Sequence, residues 1–440
     1  MKEITKLIVF VFFISASLFG QIKKINFTEY DLDNGLHVIL HQDDSTPIVA
    51  ITITYHVGSK NEDPQRTGFA HFFEHLMFEG SKYVKRGEFD KINQSAGGIN
   101  NAYTTNDITH YYQVYPSNQL KLGLWLESER LLHLNIDSIG VETQRKVVKE
   151  ERSQRYDNQP YGGLLEETFK RAYKVHPYKW RPIGSAQYID QATLNEFMEF
   201  HSKYYVPNNG CLSIAGDIDI TQTKKWIEEY FSDIPKGEEV KQPEIIEPPL
   251  NGEIRDTVYD NIQLPLALQA YRIPEQGSLD YYALDMLSSV LASGQSSRFY
   301  KELVDKQQKA VSTGSFLFGL EDPGLFIVYG ICNLNVPIDE LELLIQNELD
   351  KVKNGLIDEK EFEKLQNQTE SAFVNSNSTM EGIAGSLANY YTHYGNADLI
   401  NTEINRYMDV TREDLMRVAK KYLNTDNRVV LHYLPKSAKK

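Results

Sequence analysis

The chain has 440 residues, 41% hydrophobic and 24% charged, with a formal net charge of −15. That length is enough for two or three domains, and the balance is that of an ordinary globular protein. The acidic excess and the lack of any basic cluster exclude nucleic acid and anionic membrane surfaces as partners, since both require concentrated Lys and Arg.

The first stretch, MKEITKLIVFVFFISASLFGQ, has Lys2 and Lys6, an apolar run from Leu7 to Ile14, then Ser15, Ala16, Ser17 and Gly20. This layout predicts a secretory signal peptide over residues 1–20, with an apolar run too short to span a bilayer. The expectation is an exported protein, periplasmic or secreted, without a stable membrane anchor. No cysteine stands near the cleavage region, which excludes a lipoprotein signal. Cys211 and Cys332 lie far apart and make no disulfide framework. Stability has to come from burial, which a chain this long can supply.

After the signal, YDLDNGLHVILHQDDSTPIVAITITYHVGS predicts two strands around a polar turn at Gln42–Thr46. Val49, Ile51, Ile53 and Tyr55 alternate with Ala50, Thr52, Thr54 and His56. TGFAHFFEHLMFEG predicts a helix that leaves at Gly80. The Gly-rich, polar stretch NQSAGGINNAYTTNDITHYYQVY leads into another strand pair. Leu120, Leu124 and Leu131, with Trp125 and Leu126, mark the next helix, and VETQRKVVKEERSQRY a strongly charged one.

Ile234 to Ile254 is rich in Pro, Glu and Gly with little periodicity. It predicts a linker over 234–254 between an N-terminal domain at 25–233 and a C-terminal domain at 255–436. The two parts resemble each other faintly. YYALDMLSSVLASGQ is again an apolar helix closed by glycine, here Gly294, and it sets Asp285, Ser288 and Ser289 opposite His71, Glu74 and His75. Strands followed by helices in each part predict an α+β fold of two related domains, each a mixed or antiparallel sheet packed with helices.

The sharpest chemistry lies in HFFEHLMF, residues 71–78. Buried among Phe and Leu, two histidines and a glutamate are costly unless something satisfies them. His71 and His75 are one helical turn apart on one face, with Glu74 beside them. Two imidazoles suit Zn²⁺, and H-x-x-E-H is the inverted zinc-peptidase pattern. A catalytic site needs a third protein ligand and an open position for water. VVKEERSQ offers Glu150 and Glu151 on another helix, and spacing alone does not choose between them.

PQRTGFAHFFEHLMFEGSKY, GGINNAYTTNDITHYYQVYP, VVKEERSQ with NQPYG, HPYKWRPIGS and YYVPNNGCLSIAGDID occur in that order over essentially the whole mature chain. Together they resemble the insulinase/pitrilysin family of zinc metallopeptidases, the inverzincins. The likeness is strongest to the short-chain branch, which includes mitochondrial processing peptidase and bacterial two-subunit relatives. The resemblance implies one Zn²⁺ per chain, with His71 and His75 as ligands and Glu74 as catalytic base. The family's third ligand stands in a VVxxE-like context, which selects Glu151. The acidic residue that often assists two turns earlier is replaced here by Gln144, with Glu142 nearby. NNAYTTND resembles the family's substrate-binding edge strand, so Asn101, Ala102, Tyr103 and Thr104 are expected to hold extended peptides mainly through backbone.

One departure concerns partners. Self-sufficient relatives carry an arginine and, seven residues later, a tyrosine in the second half that contact substrate near the metal. Val304 and Val311 stand at those positions. Valine cannot hydrogen-bond a carbonyl or an oxyanion, and Arg298 and Tyr300 have the wrong spacing and are expected to be structural. A dimer is expected, and a heterodimer favoured over a homodimer, with a paralogue supplying the Arg/Tyr pair. The function expected is an exported zinc metalloendopeptidase acting on extended or unfolded peptides in a dimer chamber. The alternative is a non-catalytic assembly subunit of the same fold, against which Glu74 speaks, since a scaffold has no need of it. A structural-zinc protein would need four protein ligands, often cysteines, and the chain offers no such cluster.

Overall fold

A computed structural model describes residues 24–439. The predicted signal peptide at 1–20 lies outside the described residues. The first half runs β1 (Thr28–Asp31), β2 (His37–Gln42), β3 (Ile48–Tyr55), α1 (Phe69–Leu76), α2 (Phe89–Ser95), β4 (Ile99–Thr104), β5 (Thr109–Pro116) and α3 (Leu120–Leu132). It continues with α4 (Ser138–Arg152), α5 (Leu164–Ala172), α6 (Ala186–Gln191), α7 (Leu194–Tyr204), β6 (Gly210–Gly216) and α8 (Ile220–Phe231). The second half runs β7 (Ile254–Asp260), β8 (Leu266–Arg272), α9 (Leu279–Ala292), β9 (Ala310–Phe318), β10 (Leu325–Cys332) and α10 (Ile338–Asn354). It ends with α11 (Glu359–Ser376), α12 (Met380–Tyr394), α13 (Leu399–Met408), α14 (Arg412–Tyr422) and β11 (Arg428–Pro435).

The strand order is β1-β2-β6-β3-β5-β4 in one sheet and β7-β11-β8-β10-β9 in the other. In each, the last strand of the half pairs parallel with the first long one and antiparallel with the central strand, as Val38↔Leu212 and Ile53↔Leu212 illustrate. The second sheet repeats this with Val430↔Arg255 and Val430↔Gln269. Both sheets are therefore mixed, and the fold is α+β with one architecture used twice. Local devices repeat too. Thr193 with Glu196 caps α7 as Thr411 with Asp414 caps α14. Asn209 donates to Tyr204 O and His56 O, and Asn427 donates to Tyr422 O and Arg272 O. The α1 and α9 helices, matched by sequence, occupy equivalent places between the central strand and the free edge strand.

Each half keeps its own helices on one sheet face. Phe69, Phe72, Phe73, Phe197, Ile227 and Phe231 pack on β3 and β6 in the first core, and Leu284, Leu287, Leu341, Ile345 and Val418 fill the second. The opposite faces are covered by exchange. Ala384, Leu387 and Ala388 of α12 pack on Ile39, Ala50 and Ala215 of the first sheet, and Phe169 and Ala172 of α5 pack on Leu266, Leu268 and Leu431 of the second. Both faces of β3 and β8 are thus buried. The stretch 235–253 has neither helix nor strand but is tied down, since Glu247 accepts from the N–H groups of Lys174, Val175 and His176 and pairs with Arg272. Cys211 and Cys332 are buried free thiols. No helix among the described residues is long and apolar enough to cross a membrane.

A buried charge cluster joins the halves. Glu321, from the β9–β10 connection, accepts from His56 Nε2 at 2.7 Å and His393 Nδ1 at 2.7 Å and pairs with Lys60, which also lies 3.1 Å from Asp107. Burial alone would raise the Glu321 pKa, but the hydrogen bonds from His393 and His56 and the charge of Lys60 outweigh it and hold the carboxyl well below its ordinary range. A depressed carboxylate contributes stability above its unfolded pKa of about 4.3 and loses it as pH falls. Glu321→Gln is therefore expected to cost about 3 kcal/mol at pH 7, with the gap to wild type closing below about pH 4.3. Urea midpoints at pH 7, 5 and 3 check this, and a pH-independent gap would contradict it.

Candidate metal centre

Helix α1 is short and bound at both ends of its chemistry. It begins at Gly68, whose φ of +97° favours glycine, and no side chain of its own caps it. The cap comes from Glu62, which accepts from the N–H of Gly68 and of Ala70, each at 2.9 Å. Phe69, Ala70, Phe72, Phe73 and Leu76 turn into the first core. The remaining face presents His71, Glu74 and His75, all half-buried.

Helix α4 starts at Asp137, which accepts from Gly140 N–H, and Val141 and Val148 fix its inner face in the core. Glu151 lies three residues after Val148, on the side toward α1. Its Oε2 is 3.2 Å from His75 Nε2 and 3.6 Å from His71 Nε2, and its Oε1 is 2.9 Å from the Arg155 guanidinium. Glu150 is exposed and accepts from Gln154 instead. Between the two glutamates, packing places Glu151 and not Glu150 beside the histidines. One donor atom from each of His71, His75 and Glu151 lies within 4.8 Å of the others.

This donor set fits zinc. In a tetrahedron with bonds of about 2.0–2.1 Å, neighbouring donor atoms are about 3.3–3.4 Å apart, and the observed 3.2 and 3.6 Å bracket that edge. Burial, and then the neighbouring His75 ring, push the His71 pKa down to about 4, so this imidazole is neutral and can offer a lone pair near neutral pH. The hydrogen bond from His75 holds Glu151 below its ordinary range, against the effect of burial. His71 Nδ1 is buried without a partner among the described residues, so no protein group sets its tautomer. Glu74 behaves oppositely: burial raises its pKa, while the Thr104 hydroxyl, donating to Oε2 at 2.7 Å, opposes the rise. A carboxylate with a raised pKa, beside the three converging donor atoms, is suited to proton transfer.

Thr104 belongs to β4, the edge strand of the first sheet. Ala102 shares its face and packs partly on the first core, while Asn101 and Tyr103 point to the other face, where Tyr103 stacks on His110 and its hydroxyl accepts from Asn389 of α12. The outer edge of β4 has no strand partner among the described residues. Gln144 stands two turns before Glu151 and donates to Glu79, while Glu142 is exposed and pairs with Arg145. Val304 lies half-buried against the second core and Val311 is exposed on β9. Arg298 forms a two-point ion pair with Glu361 of α11, the structural role expected of it.

Sequence reasoning did not single out Glu62 or Arg155. Glu62 follows GSKN without a periodic signal, and Arg155 is one more cation on a charged helix. Asp339, Glu342 and His432 also gather, but Glu342 is already held by both outer nitrogens of Arg255, so that cluster carries its own cation.

Residues 37–181 match the family model described as Insulinase (Peptidase family M16), and residues 191–369 match the one described as Peptidase M16 inactive domain. The zinc protease PqqE of Helicobacter pylori is 33% identical over 408 residues, 92% of each chain. The uncharacterized zinc protease YmxG of Bacillus subtilis is 25% identical, covering 78% of this chain and 83% of that one. The crystal structure of a protease from Helicobacter pylori superposes with a TM-score of 0.90 and 31% identity over 94% of this chain and 100% of that one. The first half of the periplasmic protease PqqL from Escherichia coli shares the fold, with a TM-score of 0.75 at 17% identity over 94% and 93% of the two chains. Matched by family models along both halves and by a relative of this identity along nearly its whole length, the chain belongs to the insulinase family, peptidase family M16.

Proposed function

We propose that this chain is an exported, zinc-dependent endopeptidase for extended or unfolded peptides. It holds one zinc through His71, His75 and Glu151 and uses Glu74 as its catalytic base. The meeting of three donor atoms beside Glu74, under a free strand edge, carries this reading. When bound, the ion supplies Lewis acidity, which makes a water acidic near neutral pH and polarises a peptide carbonyl. A peptide strand adds to the outer edge of β4 through the backbone of Asn101, Ala102, Tyr103 and Thr104, which brings its carbonyl over α1. Glu74 then takes the proton of the attacking water and returns it to the departing amine. Oε2 is steadied by Thr104 and Oε1 carries no hydrogen bond among the described residues, so Oε1 is the oxygen assigned to that transfer. Arg155 occupies one oxygen of Glu151 and leaves the other for the metal.

We divide the chain at 25–233, 234–254 and 255–436, two sequence halves that interlock through α5 and α12. With Val304 and Val311 in place of the arginine and tyrosine, a partner subunit completes the chamber, and the best fit is a paralogue supplying that pair. The named periplasmic relative and the N-terminal layout support export to the periplasm or beyond. The test is metal content and cleavage of an unstructured peptide. The purified chain is expected to carry one zinc, to lose activity to a chelator and regain it with zinc, and to be slow alone but at least about tenfold faster with the paralogue. Chelator-insensitive cleavage would overturn the metallopeptidase reading, and full activity alone would overturn the partner.

A further inference from the structure

The two ligand-bearing helices belong to separate parts of the first half, yet one loop is bonded to both. Trp180 Nε1 donates to Ser59 O at 2.9 Å and to Glu62 Oε2 at 3.1 Å, and Glu62 is the carboxylate that caps α1. Ser185 N–H donates to Thr67 Oγ1 at 3.1 Å, just before the helix begins. Gly184, with φ of +64°, lies so close to Gly68 that a Cβ on it would come within 2.3 Å of the Gly68 Cα. On the other side, Arg152, the residue after Glu151, donates through one nitrogen to Gly184 O and through another to Glu166 at 2.9 Å. The loop runs on into α6, where Lys149 and Arg145 of α4 bond Asp190 and Ala192 O.

We propose that residues 180–185 form a brace that sets the distance between the histidine pair on α1 and Glu151 on α4, with Trp180, Gly184, Arg152 and Glu62 as positioning residues. The inference rests on the metal reading above and goes beyond it. A chelating triad tolerates displacements of only about 0.5 Å, and its two parts sit on helices whose first and last turns are both fastened to this loop. Arg152 suits the task because its rigid planar fork fixes the directions of a carbonyl and a carboxylate at once, where lysine offers one flexible point charge.

The test compares zinc affinity by chelator competition, and the visible spectrum of the cobalt-loaded chain, in wild type, Trp180→Phe, Arg152→Lys and Leu349→Ala. Leu349 is buried in the second core, away from the loop, and serves as a control for general destabilisation. The two brace variants are expected to bind zinc on the order of tenfold more weakly and to show altered cobalt bands, while Leu349→Ala keeps wild-type affinity and spectrum. Brace variants within about twofold of wild type in affinity, with unchanged cobalt bands, would overturn the brace. So would an equal loss in Leu349→Ala. A wild-type chain that binds no zinc would overturn the metal reading, and the brace with it.

Discussion

Glu74→Gln is expected to bind zinc as wild type does and to cleave peptides about 10³-fold more slowly, within the range found when a positioned acid–base group is removed. The substitution keeps the shape of the side chain and an oxygen to accept from Thr104, so α1 and its neighbours have no cause to move. It removes only the ability to take a proton. The loss should fall on kcat, with KM little changed, because peptide binding through the β4 edge does not use Glu74. Equal turnover in the variant would assign the base elsewhere.

The second large effect separates adjacent glutamates. Glu151→Ala is expected to lose zinc and activity together, whereas Glu150→Ala should keep both close to wild type. In the proposed site Glu151 contributes one of three donors, and its removal leaves two imidazoles that cannot hold the ion in a catalytic geometry. Glu150 faces solvent and exchanges a hydrogen bond with Gln154, so its loss is a surface change of the kind that costs less than about 0.5 kcal/mol. Zinc per chain, measured on dialysed protein, distinguishes the two. Loss of metal in Glu150→Ala alone would reverse the assignment.

Much of the first sheet could be read from the chain because its signals are local. The turn at Gln42–Thr46 lies between β2 and β3 as expected, and α1 begins and ends near its glycines. The histidine pair was legible because helical spacing puts i and i+4 on one face in any fold. The helix exchange was not. Ala50, Thr52 and Thr54 read as the modest face of an alternating strand, yet Ala50 and Thr52 are buried under α12. Small residues on β3 meet Ala384 and Ala388 on α12, so close packing there depends on a segment more than 300 residues away that no local pattern announces. The choice between Glu150 and Glu151 needed the resemblance for the same reason. Only the packing of Val148 against the first core fixes which glutamate turns toward α1. Glu62 escaped notice, and Trp180 was read only as part of HPYKWRPIGS, because their importance lies in hydrogen bonds across more than 100 residues of chain.

The most direct test of the central claim is an anomalous difference map at the zinc edge from crystals of the zinc-loaded chain. The account predicts one strong peak per chain, about 2.0–2.2 Å from His71 Nε2, His75 Nε2 and Glu151 Oε2. A map without density between those three atoms, or with the ion held by other side chains such as Asp339, Glu342 and His432, would contradict it.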